Sequence, residues 1–115
     1  MQHLAWEHVK KEILNDKLWR KVVSGERVMV AQLCLSKDCR VPVHQHESEQ
    51  ISLILQGALK FEVGGREVTV RAGEVMVTPS NVPHSAQAIE DTIAIDVFSP
   101  IRQDWLDGTD GYLRK

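Results

Sequence analysis

Four polar side chains in otherwise apolar parts of the sequence have the types and the spacing of a ligand set. His44 and His46 stand two residues apart, and in a strand this spacing turns both imidazoles to the same face. Gln50 follows after a short stretch that can form a bend. His84 comes directly after residues 79–83, a segment in which two prolines fix a rigid turn. Such a turn would deliver His84 to one defined place.

Three imidazoles and one amide oxygen are a suitable donor set for one divalent transition metal. Imidazole suits zinc, copper, iron and nickel, and an oxygen ligand extends the range to manganese. A set of four leaves further positions open to water or substrate. A His-x-His pair or a glutamine by itself is a weak signal. His84 in its constrained turn strengthens the set, and Asn81 in that turn tolerates a left-handed backbone.

The elements that must position these side chains are predicted to be short strands. Alternating or continuous apolar patterns cover residues 28–35, 41–44, 51–55, 59–63, 67–71, 75–78, 85–89 and 92–98. Turn glycines stand at regular intervals between several of them, at Gly57, Gly65 and Gly73. Short strands separated by turns in this way are typical of an all-β sandwich or barrel.

Two of these strands have one aliphatic face and one face that carries polar groups. Gln50 and Ser52 share a face, and the residues on the other face of that strand are aliphatic. Asp96 and Phe98 share a face of the last strand in the same way. An acid on an inward strand face needs a partner. The open alternatives are that Asp96 faces solvent or pairs with Arg102 at the strand end.

Length and composition indicate one soluble globular domain. The chain has 115 residues, of which 43% are hydrophobic, and a formal net charge of -2. This charge offers no attraction to nucleic acid. No apolar run reaches the roughly 18 residues of a membrane span, and the first residues do not have the pattern of a signal peptide. We therefore expect a cytoplasmic protein with neither membrane nor nucleic-acid partners.

The two ends of the chain are predicted to flank the barrel. Residues 1–27 are expected to form an arm or a short helix or strand packed on it, residues 28–100 the barrel, and residues 101–115 a tail. Apolar spacing near the start is loosely helical, although an irregular arm that leads into a strand fits nearly as well. The tail is expected to form one or two helical turns, and its glycine-rich end to be mobile or docked on a neighbouring molecule.

Two stretches of the sequence resemble the paired motifs of the cupin family. The first contains His44, His46, Gln50 and Gly57, and the second spans residues 73–84, with an asparagine where glycine is usual. The resemblance runs from about residue 28 to residue 98. It implies a single small cupin domain, an RmlC-like jelly-roll β-barrel with a metal at its mouth or centre.

Four shorter phrases resemble the pectin-degradation cupins, which convert 4,5-unsaturated uronates to their linear keto forms. These phrases are residues 49–52, 61–65, 81–84 and 96–102. In that family the metal ligands match His44, His46, Gln50 and His84, and Asp96, Phe98 and Arg102 match groups beside the metal. The resemblance implies that Asp96 moves protons and that Arg102 binds the substrate carboxylate. Phe98 is expected to form an apolar wall for the sugar, and Ser52, which stands where some members of that family carry glutamine, is the second expected substrate-binding residue.

Two other functions remain open from the sequence. Three histidines and an oxygen ligand also suit a cupin dioxygenase that uses iron or copper on a small carbonyl or flavonoid-type substrate. The chain could instead be a non-catalytic module that binds a sugar or a metal. In each case the partner is a small molecule. A homodimer is also expected, because the aliphatic strand faces need a cover, and they consist of Ile51, Leu53, Leu55, Ile93, Ile95 and Val97.

Overall fold

The computed structural model describes residues 1–114, which form ten strands in two antiparallel sheets. The strands are β1 Glu12–Asn15, β2 Leu18–Ser24, β3 Met29–Leu35, β4 Arg40–His44, β5 Glu49–Gln56, β6 Ala58–Val63, β7 Arg66–Arg71, β8 Val75–Thr78, β9 His84–Ala88 and β10 Thr92–Ser99. The larger sheet has the order β1-β2-β3-β10-β5-β8, and the smaller has the order β4-β9-β6-β7. Short helices are a 3-10 turn at Trp6–His8, α1 at Gln103–Asp107 and a 3-10 turn at Gly111–Leu113.

The hydrophobic core lies between the inner faces of the two sheets. Burial alternates residue by residue along β3 and β10, as expected for strands with one face inward. The core side chains include Leu14, Leu18, Met29, Leu33, Leu35, Ile54, Leu59, Phe61, Val70, Ala94 and Phe98. This arrangement confirms the predicted all-β jelly-roll barrel. The eight predicted strands are also confirmed, each within two residues at either end.

The polar faces of β5 and β10 point inward and their aliphatic faces point outward. Gln50 and Ser52 are 6% and 0% exposed, whereas Leu55 on the opposite face is 52% exposed. Asp96 pairs with Ser52 across the sheet, and Phe98 pairs with Gln50. Cross-strand partners on one face lie side by side. The register therefore brings these four predicted site residues together inside the barrel.

The start of the chain extends the larger sheet by two strands. β1 and β2 form a hairpin, and β2 pairs along its length with β3. The helical interpretation of this region was wrong beyond the 3-10 turn. One reason is local: the Asn15 side chain accepts a hydrogen bond from the backbone of Lys17 at 2.8 Å, which stabilises the hairpin turn. The other reason is that Leu18 and Arg20 of β2 face the interior.

The C-terminal tail folds back onto its own barrel. Trp105 of α1 and Leu113 are buried in the core, and Asp110 between them has no exposed surface. The expectation of a tail that is mobile or docked on a neighbour was therefore wrong. Three buried side chains within nine residues outweigh the flexibility that the two tail glycines suggested. No helix in residues 1–114 is long and apolar enough to cross a membrane.

Candidate metal centre

Three histidines from two strands and the segment between β4 and β5 converge inside the barrel. Each offers one ring nitrogen, and these atoms of His44, His46 and His84 all lie within 4.8 Å of one another. The ring of His44 lies 4.3 Å from that of His84 and 5.4 Å from that of His46, measured between centroids. β4 and β9 are neighbours in the smaller sheet, with His44 directly opposite His84. Sheet pairing therefore assembles residues that lie 40 positions apart in the sequence.

Each imidazole is oriented by a backbone carbonyl close to it in sequence. The Nδ1 atoms of His44, His46 and His84 lie 2.8 Å from the carbonyl oxygens of Pro42, Ser48 and Val82 respectively. A carbonyl only accepts, so each Nδ1 carries the proton and each Nε2 keeps a free lone pair. The Nε2 atoms of His46 and His84 are buried and have no hydrogen-bond partner among residues 1–114. Orphaned acceptors that face one another are what a metal ion would satisfy.

Burial keeps these histidines uncharged. Loss of solvent is the main cause that lowers the pKa of His44 and of His46 from 6.5 to about 4. The pKa of His84 is lowered for the same reason, and the positive charge of Arg102 adds to the effect at all three. Neutral imidazoles are the form that binds metals.

A rigid turn holds His84 in register with His46. Asn81 has a left-handed φ of 59°, and its backbone N–H donates to the carbonyl of His46 at 2.8 Å. Next to it, the Ser80 hydroxyl donates to the carbonyl of Glu47 at 2.6 Å. Two hydrogen bonds thus tie the turn to the segment that carries His46. Asparagine can replace glycine at this position because its side chain tolerates that backbone conformation.

Gln50 is placed to supply a fourth ligand. Its side chain lies beside His46, where the contact between the two opposes the lowering of the histidine pKa. Its amide nitrogen donates to the Ser52 hydroxyl at 3.0 Å and lies 3.4 Å from Oδ2 of Asp96. With the nitrogen engaged, the amide oxygen is the atom left to face the histidines. Three neutral imidazoles and this oxygen fit a divalent transition metal.

Asp96 lines the same cavity, and its carboxyl group is buried beside the polar side chains of Gln50 and Ser52. It is 9% exposed, and burial raises its pKa from 3.8 to about 6. A hydrogen bond with Ser52 and the charge of Arg102 oppose this rise without cancelling it. A carboxyl group with such a pKa exchanges protons readily near neutral pH. The alternatives in which Asp96 faces solvent or forms a strand-end bridge with Arg102 do not describe this structure.

Arg102 brings a positive charge to the cavity wall but is already engaged. Its Nε and Nη2 atoms donate to the two carboxylate oxygens of Asp104 at 3.0 and 2.9 Å, and Nη2 also donates to the hydroxyl of Tyr112. Its guanidinium carbon lies 5.2 Å from the ring centroid of Phe98. Phe98 itself is 1% exposed and meets the ring of His46 edge-on at 5.8 Å. Both residues line the cavity beside the histidines.

The structure places Ser52 behind the site, and it adds a residue that the sequence interpretation missed. Ser52 is 0% exposed and contacts Gln50 and Asp96, so it supports them and does not line the cavity. Tyr112 does line the cavity, with its ring centroid 4.6 Å from that of His44. The available signal was that Tyr112 is the chain's single tyrosine and stands in a turn-rich tail.

Comparisons with known proteins point to one family. The cupin domain model matches residues 33–98. The pectin degradation protein KdgF of Dickeya dadantii is 26% identical over 98 residues, covering 83% of this chain and 89% of KdgF. The human 3-hydroxyanthranilate 3,4-dioxygenase is 26% identical over 113 residues, which cover 95% of this chain but only 39% of that enzyme.

Two solved structures share the fold over nearly their whole length. KdgF from a Halomonas species has a TM-score of 0.80 and 31% identity, with 86% of this chain and 92% of that chain covered. An RmlC-like cupin from Shewanella frigidimarina has a TM-score of 0.85 and 27% identity, with 91% and 96% covered. The resemblance to the pectin-degradation cupins is thereby confirmed. With the matched motifs carried on the strands and turn that hold the three histidines, the chain belongs to the cupin family.

Proposed function

We propose that this protein is a metal-dependent enzyme that converts a 4,5-unsaturated uronate to its linear keto form. The observation that carries the proposal is the convergence of three neutral histidines, two of which, His44 and His84, line one cavity with Asp96 and Arg102. The similarity to two proteins named KdgF, one of them named as a pectin degradation protein, supports the same substrate class.

The reaction is an isomerisation and needs no second reactant. The hemiacetal hydroxyl loses its proton, the bond between C1 and the ring oxygen breaks, and C1 becomes an aldehyde. The ring oxygen is left on C5 as an enolate, which becomes a ketone when a proton is added to C4. One proton is removed and one is returned, so a single carboxyl group can serve both steps.

Asp96 is the residue that we assign to these proton transfers. Its pKa of about 6 lets the carboxylate accept a proton and the acid return it near neutral pH. Gln50 lies 3.4 Å from Oδ2 of Asp96 and holds that oxygen on the histidine side of the cavity. The pair of polar residues therefore positions the proton acceptor next to the proposed metal ligands.

His44, His46, Gln50 and His84 would hold the metal. When bound, a divalent transition metal supplies Lewis-acid polarisation of substrate oxygens. Arg102 supplies the cation for the uronate carboxylate, because a guanidinium forms strong hydrogen bonds with such a group. Phe98 forms an apolar wall beside it. A local cation is needed because the chain, with a net charge of -2, offers an anionic sugar no general attraction.

The direct test is a spectroscopic assay on metal-loaded protein. Unsaturated galacturonate is added to protein loaded in turn with nickel, zinc, manganese or iron, and loss of the alkene absorbance is followed. We expect loss well above the rate without protein, at constant oxygen concentration. Loss no faster than the background with every metal would contradict the proposal.

Matched variants separate the roles of the residues. Asp96→Asn keeps the shape of the side chain and is expected to lower kcat by about 100-fold or more with the metal retained. His84→Ala is expected to lose both turnover and the bound metal, and elemental analysis measures the metal content. His8→Ala, an exposed histidine outside the cavity, serves as the control for both measurements. If Asp96→Asn leaves turnover unchanged, Asp96 does not carry the proton.

A cupin dioxygenase is the second candidate, and the similarity to 3-hydroxyanthranilate 3,4-dioxygenase favours it. It predicts oxygen uptake with iron or copper bound, measured at an oxygen electrode with a small aromatic or carbonyl substrate. A non-catalytic binding module predicts ligand binding without turnover, and binding that Asp96→Asn changes little. Alkene loss, oxygen uptake and ligand binding, each measured on the parent protein and on Asp96→Asn, therefore distinguish the three functions.

A further inference from the structure

The C-terminal tail covers the histidine cavity with one side chain. The ring of Tyr112 lies 4.6 Å from the ring of His44, and its hydroxyl accepts a hydrogen bond from Nη2 of Arg102. Leu113 beside it is 5% exposed and anchors the turn in the core. One residue of the tail thus covers both a proposed metal ligand and the cation of the site.

The cavity behind Tyr112 is too small for a sugar. Its free volume is about 50 Å³, which admits only a few water molecules. Tyr112 lines this cavity, and it belongs to a 3-10 turn and not to either sheet. A sugar can reach the histidines only when part of the lining moves, and the ring of Tyr112 can move without breaking the hydrogen bonds of a sheet.

The contacts that hold the tail differ in how easily a ligand can replace them. Asp110 is fixed to Arg20 by a buried ion pair of 2.6 Å, and Arg114 pairs with Asp110 at 3.1 Å. Asp110 and Arg114 stand on either side of Tyr112 in the sequence. The hydroxyl of Tyr112 is a neutral group that accepts a hydrogen bond from the Arg102 guanidinium, and a carboxylate is a stronger acceptor for a guanidinium. The bond between Tyr112 and Arg102 is thus the one that an entering anion can exchange.

We propose that Tyr112 is a gate over the histidine cavity, opened when the carboxylate of a small molecule replaces its hydroxyl on Arg102. Withdrawal of the ring enlarges the cavity beside His44 and Arg102. The identity of the carboxylate as a uronate rests on the proposed function, whereas the gate rests on the contacts of Tyr112 with His44 and Arg102 and on the small size of the cavity that it covers.

The first test measures access to the metal without any sugar. Protein loaded with cobalt is mixed with excess EDTA, and the rate of metal loss is followed by absorbance. Tyr112→Ala is expected to lose the metal about tenfold faster with its metal affinity unchanged, since it lacks both the ring and a hydrogen bond to a charged group. Tyr112→Phe, which keeps the ring, is expected to lose the metal at a rate between those of the parent protein and Tyr112→Ala.

The control for this test is Leu106→Ala, an exposed position on α1 that is 48% exposed. It is expected to keep the parent rate. Equal rates in the parent and in Tyr112→Ala would overturn the gate. So would faster loss that is fully explained by a weaker metal affinity, measured in parallel by competition with a chelator of known affinity.

The second test asks whether a carboxylate opens the gate. Tyr112 is the chain's single tyrosine, so a 13C-tyrosine label in zinc-loaded protein reports its ring alone, and solvent contact is measured by broadening of the ring signals with a soluble paramagnetic agent. Galacturonate is expected to increase the broadening several-fold and galactose, which lacks the carboxylate, to leave it unchanged. Unchanged or weaker broadening with galacturonate would overturn the carboxylate trigger. Neither test uses turnover, so a lack of uronate turnover beside a working gate contradicts only the proposed function.

Discussion

Arg20 of β2 and Asp110 of the tail form an ion pair of 2.6 Å in which neither side chain has any exposed surface. The pair joins the N-terminal hairpin to the C-terminal tail. Trp105 of α1 packs against it, with its ring centroid 4.1 Å from the guanidinium carbon of Arg20. A buried charge without its partner is far less stable than a buried pair. The pair therefore holds the C-terminal tail against the N-terminal hairpin.

Loss of one partner of this pair is expected to be strongly destabilising. Arg20→Met leaves Asp110 buried with only Arg114 beside it, and should lower the free energy of unfolding by about 3–5 kcal/mol. Urea unfolding followed by tryptophan fluorescence measures this change. Arg114→Ala, which removes a partner that is 35% exposed, should cost about 1 kcal/mol or less. Equal losses in the two variants would contradict the dominance of the buried pair.

The ion pair between Arg20 and Asp110 also predicts how the free energy of unfolding depends on pH in the acid range. Burial alone would raise the pKa of Asp110, but its contacts with Arg20 and Arg114 outweigh burial and hold that pKa below 3.8. The carboxylate therefore contributes stability that is fully present above its unfolded pKa of about 3.9 and is lost as the pH falls through the lower folded pKa.

Asp110→Asn is the variant that isolates this effect. It lacks the titrating group, so its free energy of unfolding should fall less steeply than that of the parent below about pH 4. Urea unfolding at pH steps from 6 to 2 measures both curves. Parallel curves over that range would show that Asp110 does not supply the acid dependence.

Gly57 is predicted to be irreplaceable in the turn between β5 and β6. Its φ is +87°, and a Cβ atom there would collide with the carbonyl oxygen of Asp91 and with Thr92. Gly73 has the same φ but nothing within 4 Å of the same position. Gly73→Ala should therefore cost only the backbone strain of about 1–2 kcal/mol, and Gly57→Ala clearly more. Thermal unfolding of the two variants measures the difference, and equal costs would show that the turn yields to relieve the collision.

The outer face of the larger sheet is predicted to form a homodimer interface. Its edge carries exposed aliphatic side chains at Ile51, Val75 and Val77, which are 36%, 57% and 52% exposed. Ile51 and Val77 are cross-strand partners, so the patch is continuous. A contiguous apolar face of this kind favours association with a second copy. We expect a mass near 26 kDa, about twice the 13.0 kDa of one chain, by light scattering.

A charge placed within the patch should separate the subunits. Val77→Lys is expected to give the monomer mass in the same measurement, because a lysine inside an apolar interface loses its hydration without gaining a partner. Val68→Lys, on the smaller sheet at 44% exposure, is the matched control and should leave the mass unchanged. A parent protein that is monomeric at micromolar concentration would contradict the prediction.

Strand periodicity explains why so much of the barrel and of the candidate site follows from the sequence. The side chains of a strand alternate between two faces whatever the tertiary context, so Gln50 and Ser52 share a face, as do Asp96 and Phe98. The rigid turn before His84 is equally local, because it depends on two prolines and on the tolerance of Asn81 for a left-handed backbone. Strand faces and rigid turns of this kind can be predicted from the sequence without knowledge of distant contacts.

Only the tertiary structure decided what the ends of the chain do. Arg20 and Asp110 look like surface charges in the sequence, yet they are buried because each neutralises the other across 90 positions of sequence. Tyr112, two residues after Asp110, lies against His44 and Arg102. The sequence by itself therefore determined the strands and the side chains that share each strand face, through local periodicity. Only the tertiary structure placed His84 opposite His44 by sheet pairing and joined the tail to the barrel by long-range charge pairing, which no local pattern encodes.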